Sequence, residues 1–117
     1  MLTVYGIKTC DTVRRARKWL EARTVPYTFI DLRESPPSSD EVNRWVGALG
    51  ASAMCNTSGR SYRALPAERK TWPDEQWITA FADDPMLLKR PLIVRDGEAL
   101  LAGFRGTDDD LCQALGL

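Results

Sequence analysis

Residues 2–6 (Leu-Thr-Val-Tyr-Gly) alternate apolar and polar positions closely enough to predict a strand. The pattern then changes period. Over 11–23 the apolar residues Val13, Ala16 and Leu20 recur at helical spacing, with Trp19 beside them, and "VPYTFIDL" at 25–32 reads as a second strand. Pro26 falls at that strand's beginning, where a missing N–H is tolerated. A helix rather than a hairpin turn separates the two strands, so they are expected to run parallel with a right-handed crossover.

From residue 36 the chain gives mainly helix signals. Ser38 and Glu41 have capping-box spacing, Val42, Trp45, Val46 and Leu49 supply an apolar face, and Gly50 ends the segment. "MCNTSGRSYRAL" is turn-rich. "TWPDEQWITAFADDP" predicts another helix, with Pro73 near its first position, Asp74 and Glu75 in the first turn, and Trp77, Ile78 and Phe81 facing inward. A further helix is expected to start near Pro85, making 38–89 a helical block without strands. "RPLIVRDGEALLAGF" then gives two short strands around Asp96-Gly97, the strongest hairpin signal in the chain, and "DDDLCQALGL" closes with a helix. The order β-α-β, helices, β-β-α predicts an α/β fold: a thioredoxin-like four-stranded mixed sheet. Its domain would comprise 1–35 and 90–117, with 36–89 as a helical insertion subdomain.

Composition narrows the chemistry. The 117 residues suit one domain with a core; the 16 Lys+Arg balance the 16 Asp+Glu, giving no argument for a nucleic-acid or membrane partner. The chain has no histidine, which excludes Cys/His and Ser/His catalysis and histidine metal sites within it. No segment has the pattern of a signal peptide or the apolar length of a bilayer span, and Cys10, Cys55 and Cys112 lack paired spacing, so a cytoplasmic, reducing location is expected. "RRARK" at 14–18 reads as a solvated helix face balanced by the acidic run at 108–110, and Trp19, Trp45, Trp72 and Trp77 as packing residues.

Cys10 stands where the first strand gives way to the first helix. There, free backbone N–H groups and the positive end of the helix dipole favour an anion. Lys8 lies two residues before it and Arg14 four after, and together these features are expected to lower the thiol pKa and create a nucleophile beside an oxyanion site. The bland alternative is an inert, buried cysteine. Cys55 and Cys112 are read as packing residues, either of which could resolve an oxidised Cys10 only if the fold brought it close.

"YGIKTCDTVRRARKWLE", with "KRPLIV" and "GFR", resembles the arsenate reductase (ArsC-like) family, in particular its YffB-like branch, with the Spx regulators as more distant relatives. The resemblance covers essentially the whole chain and implies the fold already derived. It implies Cys10 as nucleophile, Arg90 and Arg105 as the arginines that hold an anion near the sulfur, and Pro91 as the proline that thioredoxin-like folds keep in cis. A guanidinium fork suits either an oxyanion or a carboxylate. Lys8, Thr9, Asp11, Thr12 and Arg14 around the cysteine, with Asn56, Arg60 and Pro91, complete the candidate binding residues.

Three departures shift the implied activity. The third arginine of the arsenate reductases falls on Asn56, with Arg60 and Arg63 nearby but displaced. A serine three residues after the cysteine is Val13, which also removes the second thiol of the Spx Cys-x-x-Cys pair. The YffB-like branch shares the asparagine and implies glutathione-dependent thiol reduction. The expected function is therefore a single-cysteine thiol/disulfide reductase with no metal or tightly bound cofactor, acting on an oxidised thiol or oxyanion with glutathione as reductant. The alternatives are an arsenate reductase coupled to glutathione and glutaredoxin, and an Spx-like protein-binding adaptor without catalysis. The chain is expected to act as a monomer.

Overall fold

The computed structural model describes residues 1–117. Strand β1 (Leu2–Gly6) leads into helix α1 (Asp11–Ala22) and strand β2 (Tyr27–Asp31), which pairs with β1 in parallel. The insertion contains α2 (Ser39–Leu49), the short helices α3 (Ala51–Met54) and α4 (Arg60–Arg63), a 3-10 turn at Ala67–Thr71, α5 (Asp74–Asp83) and a second 3-10 turn at Pro85–Leu87. Strands β3 (Leu92–Arg95) and β4 (Glu98–Ala102) form the hairpin, and α6 (Asp108–Leu115) closes the chain. The sheet order is β2-β1-β3-β4, with β3 antiparallel to both neighbours. This is the four-stranded mixed sheet of a thioredoxin-like fold. No helix is long and apolar enough to cross a membrane.

Strand alternation divides the core between the two faces of the sheet. Leu2, Val4 and Ile93 pack with Ala16 and Leu20 of α1 and Leu111 and Leu115 of α6. Tyr5, Leu92, Val94 and Ala99 pack on the other face with Val42, Trp45 and Phe81 of the insertion. The 36–89 segment is thus joined to the sheet by one continuous apolar cluster. Trp45 is buried against Tyr5, with ring centroids 4.8 Å apart, whereas Trp19, Trp72 and Trp77 are half-buried; Trp19 packs edge-on to Phe104 and Trp77 on both Trp72 and Phe81.

Local signals act as their chemistry dictates. The Ser38–Glu41 capping box forms in both directions, and Gly50 ends α2 with φ +83°. Asp96 and Gly97 both take positive φ in the β3–β4 turn, as a tight hairpin requires.

One expectation for the insertion needs correction. The Pro85 segment is only a three-residue 3-10 turn, because Leu88 is extended and pairs with Cys55 in an isolated antiparallel bridge. No strand falls within 38–89, as expected, and this bridge is an isolated β contact between two of its turns. Asn56 N–H donates to the Leu87 carbonyl at 2.7 Å, and Lys89 N–H to the Met54 carbonyl at 2.8 Å. These bonds bring the turn after Cys55 beside the segment entering β3.

Candidate functional site

Gly6 ends β1 directly beneath α1, where a Cβ would meet Val13 Cγ2 at 2.7 Å. The chain then turns through Ile7–Thr9, and Cys10 N–H donates to the Ile7 carbonyl at 3.2 Å. Cys10 is the N-cap of α1: its carbonyl accepts from Arg14 N–H at 3.0 Å, while its side chain makes no capping bond. The sulfur is therefore free of local hydrogen bonding beside the N–H groups that open a twelve-residue helix. Cys10 is half-buried.

Asp31 fixes the turn from the side of β2. Its Oδ2 accepts from Lys8 N–H at 3.1 Å and its Oδ1 from Arg33 N–H at 2.9 Å. Burial opposes ionisation of Asp31, but backbone N–H donation from Arg33, Lys8 and Glu34, with the Lys8 charge, outweighs it and holds the carboxyl below its ordinary range. Nothing in residue spacing pointed to Asp31, because its partner is 23 residues away.

Cys10 opens onto a cleft of about 700 Å³. Thr12 and Arg15 line one wall, the Asn56–Ser58 turn another, and Lys89, Arg90 and the segment Leu101–Arg105 the remainder. The structure therefore brings Cys10, Thr12, Asn56, Arg90 and Arg105 together among the residues singled out from sequence. Arg90 Nη1 donates to the carbonyls of Met86 at 3.0 Å and Leu88 at 3.2 Å, and its Nε is buried without a partner. Arg105 is exposed at the end of the Leu101–Arg105 lining segment and makes no side-chain hydrogen bond within the protein.

The other candidates lie elsewhere. Lys8 Nζ pairs with Glu34 at 2.9 Å; the hydrogen bond to Glu34 and its charge raise the lysine's pKa. Arg14 pairs with Asp11 on the exposed side of α1. Thr9 is exposed in the turn and Arg60 is exposed at the start of α4, both outside the cleft lining. Pro91 is buried, joined to Arg90 by a cis bond, and its carbonyl accepts from Gly103 N–H at 2.8 Å.

Two lining cations were not among the sequence candidates. Arg15, one residue beyond Arg14, is turned about 100° around the helix, and its Nη2 donates to the Phe104 carbonyl at 3.2 Å. Lys89 immediately precedes Arg90 and enters the cleft beside Gly103. The dipeptide motif Lys-Arg before Pro91 was the available sequence signal for Lys89; no local signal separates Arg15 from Arg14.

Cys55 is buried in the insertion core, and burial pushes its thiol pKa up; Cys112 is half-buried on α6. Neither lines the Cys10 cleft. The arginines of the basic run on α1 make intramolecular contacts: besides those of Arg14 and Arg15, Arg17 donates to Tyr27 Oη at 3.0 Å and lies 4.1 Å from the Phe29 ring centroid.

Known proteins share this fold over nearly the whole chain. The ArsC family model matches residues 5–108. A solved structure described as a "possible arsenate reductase" from Streptococcus mutans is 35% identical, with a TM-score of 0.84 over 95% of this chain and 97% of its own. A solved YffB protein is 30% identical, with a TM-score of 0.84 over 97% of each chain. The global transcriptional regulator Spx of Listeria innocua is 28% identical over 106 residues, spanning 89% of this chain and 80% of the regulator. The family match, extending from β1 to the first residue of α6 and spanning the cysteine turn and the segments that carry Arg90 and Arg105, makes this chain a member of the ArsC family.

Proposed function

We propose that the protein is a single-cysteine thiol/disulfide reductase that uses glutathione. The observation that carries this reading is the lining of the cleft: Cys10 shares it with Arg15, Lys89, Arg90 and Arg105, and with no carboxylate. An anionic substrate is thereby favoured, and the free N–H groups that open α1 lie beside the sulfur.

The chemistry needs no acid other than water. Cys10 thiolate attacks one sulfur of a disulfide, forming a Cys10–substrate disulfide as the original S–S bond breaks. The departing thiolate takes the electron pair and then a proton from solvent. Glutathione thiolate attacks the substrate sulfur of this mixed disulfide, returning Cys10 as thiolate and carrying the oxidising equivalent away as a glutathione mixed disulfide. A second glutathione thiolate can attack that product's glutathione sulfur, yielding oxidised glutathione and the reduced substrate. Across both attacks, two thiols supply the two electrons that reduce one disulfide.

Arsenate is a weaker fit. A tetrahedral oxyanion fills only part of a cleft in the size range of small-molecule sites, and the resemblance implies Asn56 where the arsenate reductases have a third arginine. Losing one charge-assisted contact costs roughly 1.5–3 kcal/mol, about one to two powers of ten in rate. The Spx relative supports a second reading, a protein-binding adaptor; against it, the resemblance implies that Val13 falls where the Spx regulators carry the second thiol of their Cys-x-x-Cys pair.

Incubation with oxidised glutathione followed by mass spectrometry tests the proposal. The expected adduct is on Cys10 and is lost in Cys10→Ser, with glutathione-dependent disulfide reduction exceeding glutathione/glutaredoxin-coupled arsenate reduction. Equal modification of all three cysteines would mean exposure rather than a site. Robust arsenate turnover that tolerates Arg90→Ala and Arg105→Ala would overturn the substrate ranking and the anion site together.

A further inference from the structure

The cations in the cleft are not equivalent. Arg90 is committed through Nη1 to two backbone carbonyls, and Arg15 through Nη2 to the Phe104 carbonyl. Lys89, like Arg105, is exposed, has no salt bridge and donates no side-chain hydrogen bond, but its backbone N–H is fixed on Met54. Its stem is nevertheless placed: Cδ lies 3.8 Å from where a Cβ on Gly103 would stand. Gly103, at φ +83°, takes a left-handed backbone conformation just past the end of β4, and the Lys89 stem lies beside it, at ordinary van der Waals distance from that Cβ position.

An uncommitted ammonium in a cleft lined by no carboxylate is free to pair with an anion from outside the protein. The reacting sulfurs do not supply a lasting one, because a disulfide is neutral and its departing thiolate leaves. A carboxylate carried elsewhere on the substrate does. The cleft volume of about 700 Å³ leaves room for such a group beyond the reacting sulfurs.

We propose that Lys89 is a specificity-determining residue that receives a carboxylate of the substrate, so that the site selects disulfides of small acidic peptides over neutral disulfides. This rests on the thiol/disulfide reading of Cys10. In the exchange step the Cys10–sulfur bond forms, the substrate S–S bond breaks, and the leaving thiolate is protonated by water; Lys89 takes no part in that electron flow and acts through binding.

The test compares two probes on the full chain. Rates of Cys10 mixed-disulfide formation are measured by mass spectrometry with oxidised glutathione and with bis(2-hydroxyethyl) disulfide, for wild type, Lys89→Gln and Lys89→Arg. The glutathione-to-neutral rate ratio is expected to fall roughly three- to fivefold in Lys89→Gln, the scale of one exposed ion pair, and to recover in Lys89→Arg. Carboxyl-esterified oxidised glutathione should lower the ratio on wild-type protein by a similar factor, independently of any effect of substitution on folding. An unchanged ratio with both the variant and the ester, while Cys10 still forms adducts, would overturn the carboxylate subsite and leave thiol exchange standing. Absence of a Cys10 adduct with either disulfide would overturn the thiol/disulfide reading itself, and the subsite with it.

Discussion

The backbone N–H of Lys8 donates to the Asp31 carboxylate at 3.1 Å, tying the turn before Cys10 to the end of the neighbouring parallel strand. The same carboxylate accepts from Arg33 N–H. One acidic side chain thus fixes two backbone segments at the edge of the site, and the Lys8 side chain is turned toward Glu34 instead of the cysteine.

Asp31→Ala should therefore destabilise the protein by roughly 1–3 kcal/mol at neutral pH, through two N–H donors left without their acceptor. Because the folded Asp31 carboxyl is held below its ordinary value, its contribution is present above the unfolded carboxylate pKa of about 4 and is lost as pH falls through the folded value. Urea denaturation from pH 7 to pH 2.5 should show the gap between wild type and variant narrowing at the acidic end. A gap that widens on acidification would contradict the assigned direction.

Iodoacetamide should label the three cysteines in a definite order. Cys10 is half-buried at a cleft and a helix N-terminus, whereas Cys55 is 4% exposed and its thiol is raised by burial. Peptide mapping of native protein at neutral pH should find Cys10 alkylated first and Cys55 last, with the fast phase absent in Cys10→Ser. Faster labelling of Cys112 would remove the physical basis for Cys10 as nucleophile.

The two arginines should separate by their effects on stability. Arg90 bridges the carbonyls of Met86 and Leu88, and a lysine cannot reproduce its planar fork. Arg90→Lys should cost about 1 kcal/mol of stability and slow the reaction with oxidised glutathione. Arg105 is exposed without such bonds, so Arg105→Lys should change the reaction while moving the thermal midpoint little. Thermal melts beside single-turnover adduct formation give both readouts; equal loss of stability in the two variants would refute the division of roles.

Gly6→Ala should be poorly tolerated although the change is one methyl. The new Cβ would stand 2.7 and 2.9 Å from the two Cγ atoms of Val13, itself fully buried, so strand and helix must separate. Overpacking of this kind costs roughly 1–3 kcal/mol. A compensating Val13→Ala in the same chain should recover much of the denaturation midpoint, and failure to recover it would locate the damage elsewhere.

Periodicity and punctuation determined much of the fold. The two-residue period of 2–6, the helical spacing of Val13, Ala16 and Leu20, the Ser38–Glu41 box and Asp96-Gly97 are local features whose physics acts within a few residues, and each forms its element. The position of Cys10 at the strand-to-helix junction was legible for the same reason. Tertiary structure decided which charges face the sulfur. Lys8 and Arg14 are close to Cys10 in sequence, yet Glu34 and Asp11 take them, while Arg15 is aligned by a carbonyl 89 residues away and Lys89 arrives through the Cys55–Leu88 bridge. A long charged side chain can swing to any partner within its reach, so sequence spacing bounds where its charge can go, but only the packed neighbours fix where it rests.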